Sequence, residues 1–148
     1  MKEMITKRRK VFVALPLKKK QKEYYGTCEI TYAHIPVLGD VVGMRFGVDS
    51  NKPNTYTILP CAQQTKSGKL VYKDDSSSES FKELDLMNLY LFDDLDECIE
   101  SCRQANSYVL KLFSQDLVDK VKVIQEEEIA RATDYIKNQL GAKEEKGL

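Results

Sequence analysis

The residues of this chain whose chemistry reaches beyond packing are four cysteines, a single histidine, tyrosines interleaved with basic residues, and one asparagine in an apolar helical stripe. Advancing about 100° per residue from Leu95 places Ile99, Cys102, Val109, Leu110 and Phe113 on one face, and Asn106 falls among them. A buried amide without partners costs about 1–3 kcal/mol, so Asn106 is either tied to backbone or waiting for a ligand. Arg103 lies three residues earlier and projects from the same edge of the helix; with Phe92 the pair would suit a small polar ligand. A second set is aromatic and basic: Tyr24, Tyr25, Tyr32, Arg45, Tyr56 and Tyr72 on expected strands, with Arg8, Arg9 and Lys18-Lys19-Lys20 nearby in sequence. Tyrosines beside Arg or Lys stack bases and hold phosphates; the competing reading is ordinary sheet tyrosine. The expected ligand-binding residues are therefore Arg8, Arg9, Tyr25, Arg45, Phe92, Arg103 and Asn106.

Other chemistries find no support in spacing. His34, followed by Ile35-Pro36, reads as a surface residue of a strand-end loop, and no Ser/His/Asp grouping follows from the sequence. Thr65-Lys66-Ser67-Gly68-Lys69 contains a Gly-Lys pair but lacks the upstream glycine and the following Ser/Thr of a phosphate-binding loop, so it reads as a hairpin turn. Cys98 and Cys102 sit one helical turn apart at the centre of the stripe. With Cys28, Cys61 or His34 they could ligate zinc, yet no CxxC or HxxxH pair supports this, and they read as free buried thiols. The expectation is a protein with no catalytic residues, no metal and no cofactor, and not an enzyme.

Charge is balanced overall but segregated along the chain. Residues 1–23 carry nine basic side chains against Glu3 and Glu23, a net of +7, whereas residues 74–100 carry ten carboxylates against Lys82, a net of −9. The blocks either neutralise each other or meet partners, the basic one phosphate and the acidic one a host protein. No apolar run approaches the roughly 18 residues of a membrane span, since residues 11–17 are stopped by Lys18. The preceding basic residues look superficially like a signal peptide, but Lys18-Lys19-Lys20 stands where a small-residue cleavage site would be, so a cytoplasmic protein without membrane contact is expected.

These residues must be positioned by an α+β chain: an antiparallel sheet or partly open small barrel of about six strands, then two C-terminal helices. A single domain over 1–148 is expected, with a β part at 9–92, a two-helix part at 93–141 and a frayed tail at 142–148. Residues 11–15 form a first strand, ended by Pro16 and the lysine run. Residues 24–32 form a second, interrupted by Gly26; Gly39-Asp40 opens a third over 41–48, where Gly43 and Gly47 suggest bulges. Turn residues at 49–54 lead to a fourth strand at 55–61, and Ser67-Gly68 turns into a fifth at 69–72. A mobile acidic, serine-rich loop at 73–81 precedes a sixth, central strand at 84–92. Asp93 or Asp94 caps a helix running to about Phe113; Ser114 opens a second, ended near Leu140 by Gly141. Helices of about 20 and 25 residues are about 30 and 38 Å long and overhang a small sheet, so a homo-oligomer through the C-terminal helices is expected.

The segments Val11-Phe12-Val13, Gly26-Thr27-Cys28, Leu38-Gly39-Asp40-Val41-Val42 and Leu89-Tyr90-Leu91-Phe92-Asp93-Asp94-Leu95-Asp96-Glu97-Cys98 carry a resemblance. Their order over residues 9–104 resembles that of small accessory proteins of phages and other mobile elements, which have a strand-rich, SH3-like N-terminal portion and an aromatic strand running into an acidic-capped helix. The long second helix departs from that pattern's minimal form. The resemblance implies a non-enzymatic protein that sequesters nucleotides or inhibits host nucleases, countering host defence.

Overall fold

A computed structural model describes residues 9–23, 26–45, 54–72 and 81–146. The chain is α+β: five antiparallel strands in the order β6-β3-β2-β1-β7, a separate two-stranded sheet of β4 and β5, and two C-terminal helices. The strands are β1 (Lys10–Glu23), β2 (Gly26–Arg45), β3 (Thr55–Pro60), β4 (Ala62–Gln64), β5 (Leu70–Tyr72), β6 (Leu84–Met87) and β7 (Leu91–Phe92). The helices are α1 (Leu95–Leu110) and α2 (Gln115–Lys146). The chain gathers into two compact units, Met1–Val13 with Val37–Cys98, and Ala14–Pro36 with Ile99–Leu148. This division does not follow the expected one into a β part and a helical part, because β1 and β2 are long enough to serve both units.

In the first unit Val11, Val13, Val37, Val41, Ile58 and Leu91 are buried, each at most 1% exposed. β6 and β7 occupy opposite edges of the sheet yet are joined only by the 3-10 turn Asn88–Tyr90. Four inter-strand spacings in a flat sheet would separate them by about 19 Å. Four Cα steps from Met87 to Leu91 span at most about 14 Å. The sheet is therefore curled, with its edge strands brought together but not paired. This corrects the expectation of one central strand over 84–92: the run breaks at Asn88, and its halves become the two edges.

Two other corrections concern strand length. Pro16 and the lysines do not end β1, and neither Pro36 nor Gly39 interrupts β2. The Arg9 carbonyl accepts the Val41 N–H. Two-residue alternation then turns Pro16 and Pro36 toward the outer edges of their strands, where a missing N–H breaks no ladder bond. Gly39 is a strand residue opposite Pro60, not a turn: a Cβ there would collide with Ile58 Cγ2 and lie 3.3 Å from the Leu59 carbonyl oxygen. The expected bulge at Gly43 is present as a register shift between Val41 and Gly43, while Gly47 and the loop at 73–80 lie outside the described residues. The turn at Thr65–Lys69 closes through Thr65 N–H to the Lys69 carbonyl (2.8 Å), with Gly68 at φ +92°. That backbone conformation strains any residue with a Cβ.

Asp94 is the helix cap, its carbonyl accepting from Cys98 N–H and its carboxylate from Asp96 N–H. α1 ends at Leu110 rather than Phe113, closed by N–H bonds from residues 111–113 to carbonyls three residues earlier. α2 passes through Gly141 to Lys146. A glycine costs a helix interior only about 1 kcal/mol, less than a sustained helix needs to stop.

Candidate nucleic-acid interface

The second unit is a β-ribbon, residues 14–23 of β1 and 26–36 of β2, with residues 99–110 of α1 and all of α2. Leu17, Ala33 and Ile35 of the ribbon and Cys102, Val109, Val121, Ile129, Ala132 and Ile136 of the helices are buried. Among the described residues, β3 pairs with β2 only from Gly39 onward. The backbone groups of Tyr32 and His34 on the outer edge of β2 therefore have no described strand opposite them, and two amides take that place. Asn106, 3% exposed, accepts the His34 N–H on Oδ1 (2.5 Å) and donates Nδ2–H to the His34 carbonyl (3.2 Å). That reciprocal exchange is the bond pattern of two residues paired across antiparallel strands. Gln125, also 3% exposed, donates to the Tyr32 carbonyl (3.0 Å) and to the Asn106 carbonyl (3.2 Å), joining β2, α1 and α2.

The His34 ring closes the network. Its Nδ1 lies 3.2 Å from Asn106 Oδ1, which fits the tautomer with the proton on Nδ1. Burial pushes the ring below its ordinary value of 6.5, and the Asn106 hydrogen bond partly opposes this. His34 is thus half-buried and engaged, not the loop surface residue its neighbours in sequence suggested.

The network fixes a ribbon whose lysines are displayed. Lys18, Lys19 and Lys20 are all exposed, and alternation puts Lys19 on the face opposite its two neighbours. The Lys19 ammonium stands 6.0 Å from the Tyr32 ring centroid and 5.5 Å from that of Phe113. Burial first, then the Glu128 carboxylate, pushes the Tyr32 hydroxyl above its ordinary value, with Arg131 opposing. Positive charge beside two half-exposed rings is what backbone contact and base stacking require.

The sequence-derived residues are dispersed. Arg8 and Tyr25 lie outside the described residues. In the first unit Arg9 is ion-paired to Asp93, Arg45 is exposed at the end of β2, and Phe92 pairs across strands with Phe12. In the second, Arg103 is exposed and grips Glu126 through Nε (3.3 Å) and Nη2 (3.4 Å), while Asn106 is buried and tied to backbone. Arg103 and Asn106 therefore do not present one polar edge to a ligand, because one points to the solvent side of α1 and the other to its packed side. Gln125 was missed, although it carries the signal that identified Asn106: a polar residue four from Val121 and four from Ile129, in a buried stripe.

None of the four cysteines forms a disulfide. Among the described residues no group of three or more His, Cys, Asp or Glu side chains could hold a metal ion. A cleft of about 50 Å³ is lined by Lys10, Leu38, Asp40, Pro60 and Cys61, with Lys10 and Asp40 ion-paired across 3.4 Å. Ligand pockets run to about 300–1,000 Å³, so this cleft has room for water and not for a nucleotide. Burial pushes the Cys61 thiol up to about 11, which leaves it protonated at neutral pH and a poor nucleophile. Among the described residues no helix is long and apolar enough to cross a membrane. Comparisons of the chain with protein-family models, curated proteins and solved structures found no match.

Proposed function

We propose that the protein is a non-enzymatic binding protein whose lysine-bearing ribbon engages the sugar-phosphate backbone of a nucleic acid. The observation that carries this reading is the run Lys18-Lys19-Lys20, exposed on a ribbon held by buried amides, with Lys19 over the rings of Tyr32 and Phe113. The resemblance to phage and mobile-element accessory proteins gives this a setting, a cytoplasmic factor that counters host defence. Self-association through the C-terminal helices belongs to the same reading, because Leu117, Val123 and Ile124 are exposed.

The competing reading, a host protein docked on the acidic 74–100 segment, is weaker where the segment is described. Asp93 is ion-paired to Arg9, Asp85 accepts from Thr57 Oγ1 (2.8 Å), and Asp94 caps α1. The test is fluorescence polarisation with labelled mixed-sequence DNA and RNA at 50 and 200 mM salt, comparing the protein with its Lys18→Ala/Lys19→Ala/Lys20→Ala variant. Each lost phosphate contact lowers the log–log salt slope by about 0.9, so the fourfold salt step weakens the parent about 3.5-fold more than the variant for every contact removed. Equal slopes for a variant of unchanged circular dichroism would end the proposal.

A further inference from the structure

α2 buries Val121, Gln125, Ile129, Ala132 and Ile136 on one side, yet its opposite side also carries large apolar residues. Val123 is 56% exposed and Ile124 41%, and at 100° per residue both flank a stripe formed with Asp116, Lys120, Glu127 and Arg131, all exposed. This stripe has an internal symmetry. Inverting it about the point between Val123 and Ile124 exchanges Val123 with Ile124, Lys120 with Glu127, and Asp116 with Arg131. A second copy of α2 laid antiparallel on the first would therefore set apolar against apolar at the centre and opposite charges on both sides, each pair made twice by the dyad. Parallel alignment would instead oppose Lys120 to Lys120 and Glu127 to Glu127.

We propose that this stripe is a two-fold self-association surface, with an antiparallel second copy of the chain as its occupant. Isologous contact of this kind requires a patch complementary to itself, and the sign pattern of α2 meets that requirement. The charges fix direction and register, while the apolar centre excludes water. The patch is about 22 Å long, from Asp116 to Arg131 at 1.5 Å per residue, which corresponds to a small interface and a concentration-dependent dimer.

Sedimentation velocity on the full chain from micromolar to millimolar concentration, without nucleic acid, tests this independently of the lysine ribbon. The parent should show a monomer–dimer equilibrium. Lys120→Glu and Glu127→Lys should each weaken it at least about tenfold by placing like charges together twice. The double exchange, Lys120→Glu with Glu127→Lys, should restore it, because a carboxylate at position 120 would again face an ammonium at position 127 of the second copy. Within one helix these positions are seven residues apart, about 10.5 Å along the axis, so an intrahelical pair cannot produce the rescue. A monomer at every concentration, a dimer indifferent to either reversal, or a double variant that stays dissociated overturns the proposal. Far-ultraviolet circular dichroism on each variant establishes that α2 is intact, and Ile124→Asp supplies a second dissociating change that leaves the existing charges untouched.

Discussion

Replacing Asn106 with Ala should be among the most damaging single changes in the chain. It removes the acceptor of the His34 N–H and the donor to the His34 carbonyl, along with the partner of the His34 ring. Two backbone groups lose their bonds in a part-buried place, at about 1–3 kcal/mol each, so the expected loss is about 2–5 kcal/mol. That is a large share of the roughly 5–15 kcal/mol typical of a domain. With a urea m-value of about 2 kcal/mol/M the midpoint should fall by about 1–2.5 M. Asn106→Leu separates bonding from packing: it keeps most of the volume and still orphans both groups, so it should cost nearly as much. Arg103→Ala, which breaks only an exposed ion pair, should cost less than about 1 kcal/mol. An Asn106→Ala midpoint shift no larger than that of Arg103→Ala would refute the idea that the two amides replace a missing strand, as would full recovery in Asn106→Leu.

His34 gives stability a defined pH dependence. Its folded value lies below the unfolded 6.5, so above that pH the ring is neutral in both states. As pH falls below 6.5 the unfolded chain binds the proton first and stability declines until the folded value is passed. Urea midpoints at about pH 7.5 and 5.5 should therefore differ more in the parent than in His34→Gln, and since this is the only histidine, equal differences would contradict the assignment. Gly39→Ala should cost about 1–3 kcal/mol by thermal or urea unfolding, because the added methyl meets Ile58 Cγ2 and the Leu59 carbonyl inside a paired strand.

Periodicity and capping chemistry were legible where the determinants are local. Asp94 follows a strand and precedes Asp96-Glu97, and it caps α1; Asn106 stood out from its stripe and is buried. The alternative left open for Asn106, backbone or ligand, depended on the neighbour that covers it, and a free strand edge is a property of the assembled sheet. For the same reason Pro16 and Pro36 read as breaks: a proline ends a central strand and is harmless on an outer edge, and sequence does not show which edge is outer. The run 84–92 has the hydrophobic density of one strand, but the three-residue turn inside it could be recognised only from the pairing of its halves with β3 and β1. Gln125 escaped notice because Ile124, about 60° from Val121 around the helix axis, offered an apolar residue to complete the stripe, and that isoleucine is 41% exposed.

The amides opposite Tyr32 and His34 also bear on how this protein fails. A sheet edge closed by a neighbouring strand stays closed while the sheet exists, but this one is closed by side chains that belong to helices. When α1 and α2 fray, the ribbon can persist with a vacated ladder of donors and acceptors, ready to template addition of an extended chain. Loss of helical order and the onset of intermolecular β-aggregation should therefore coincide on heating, and Asn106 acts as gatekeeper for both.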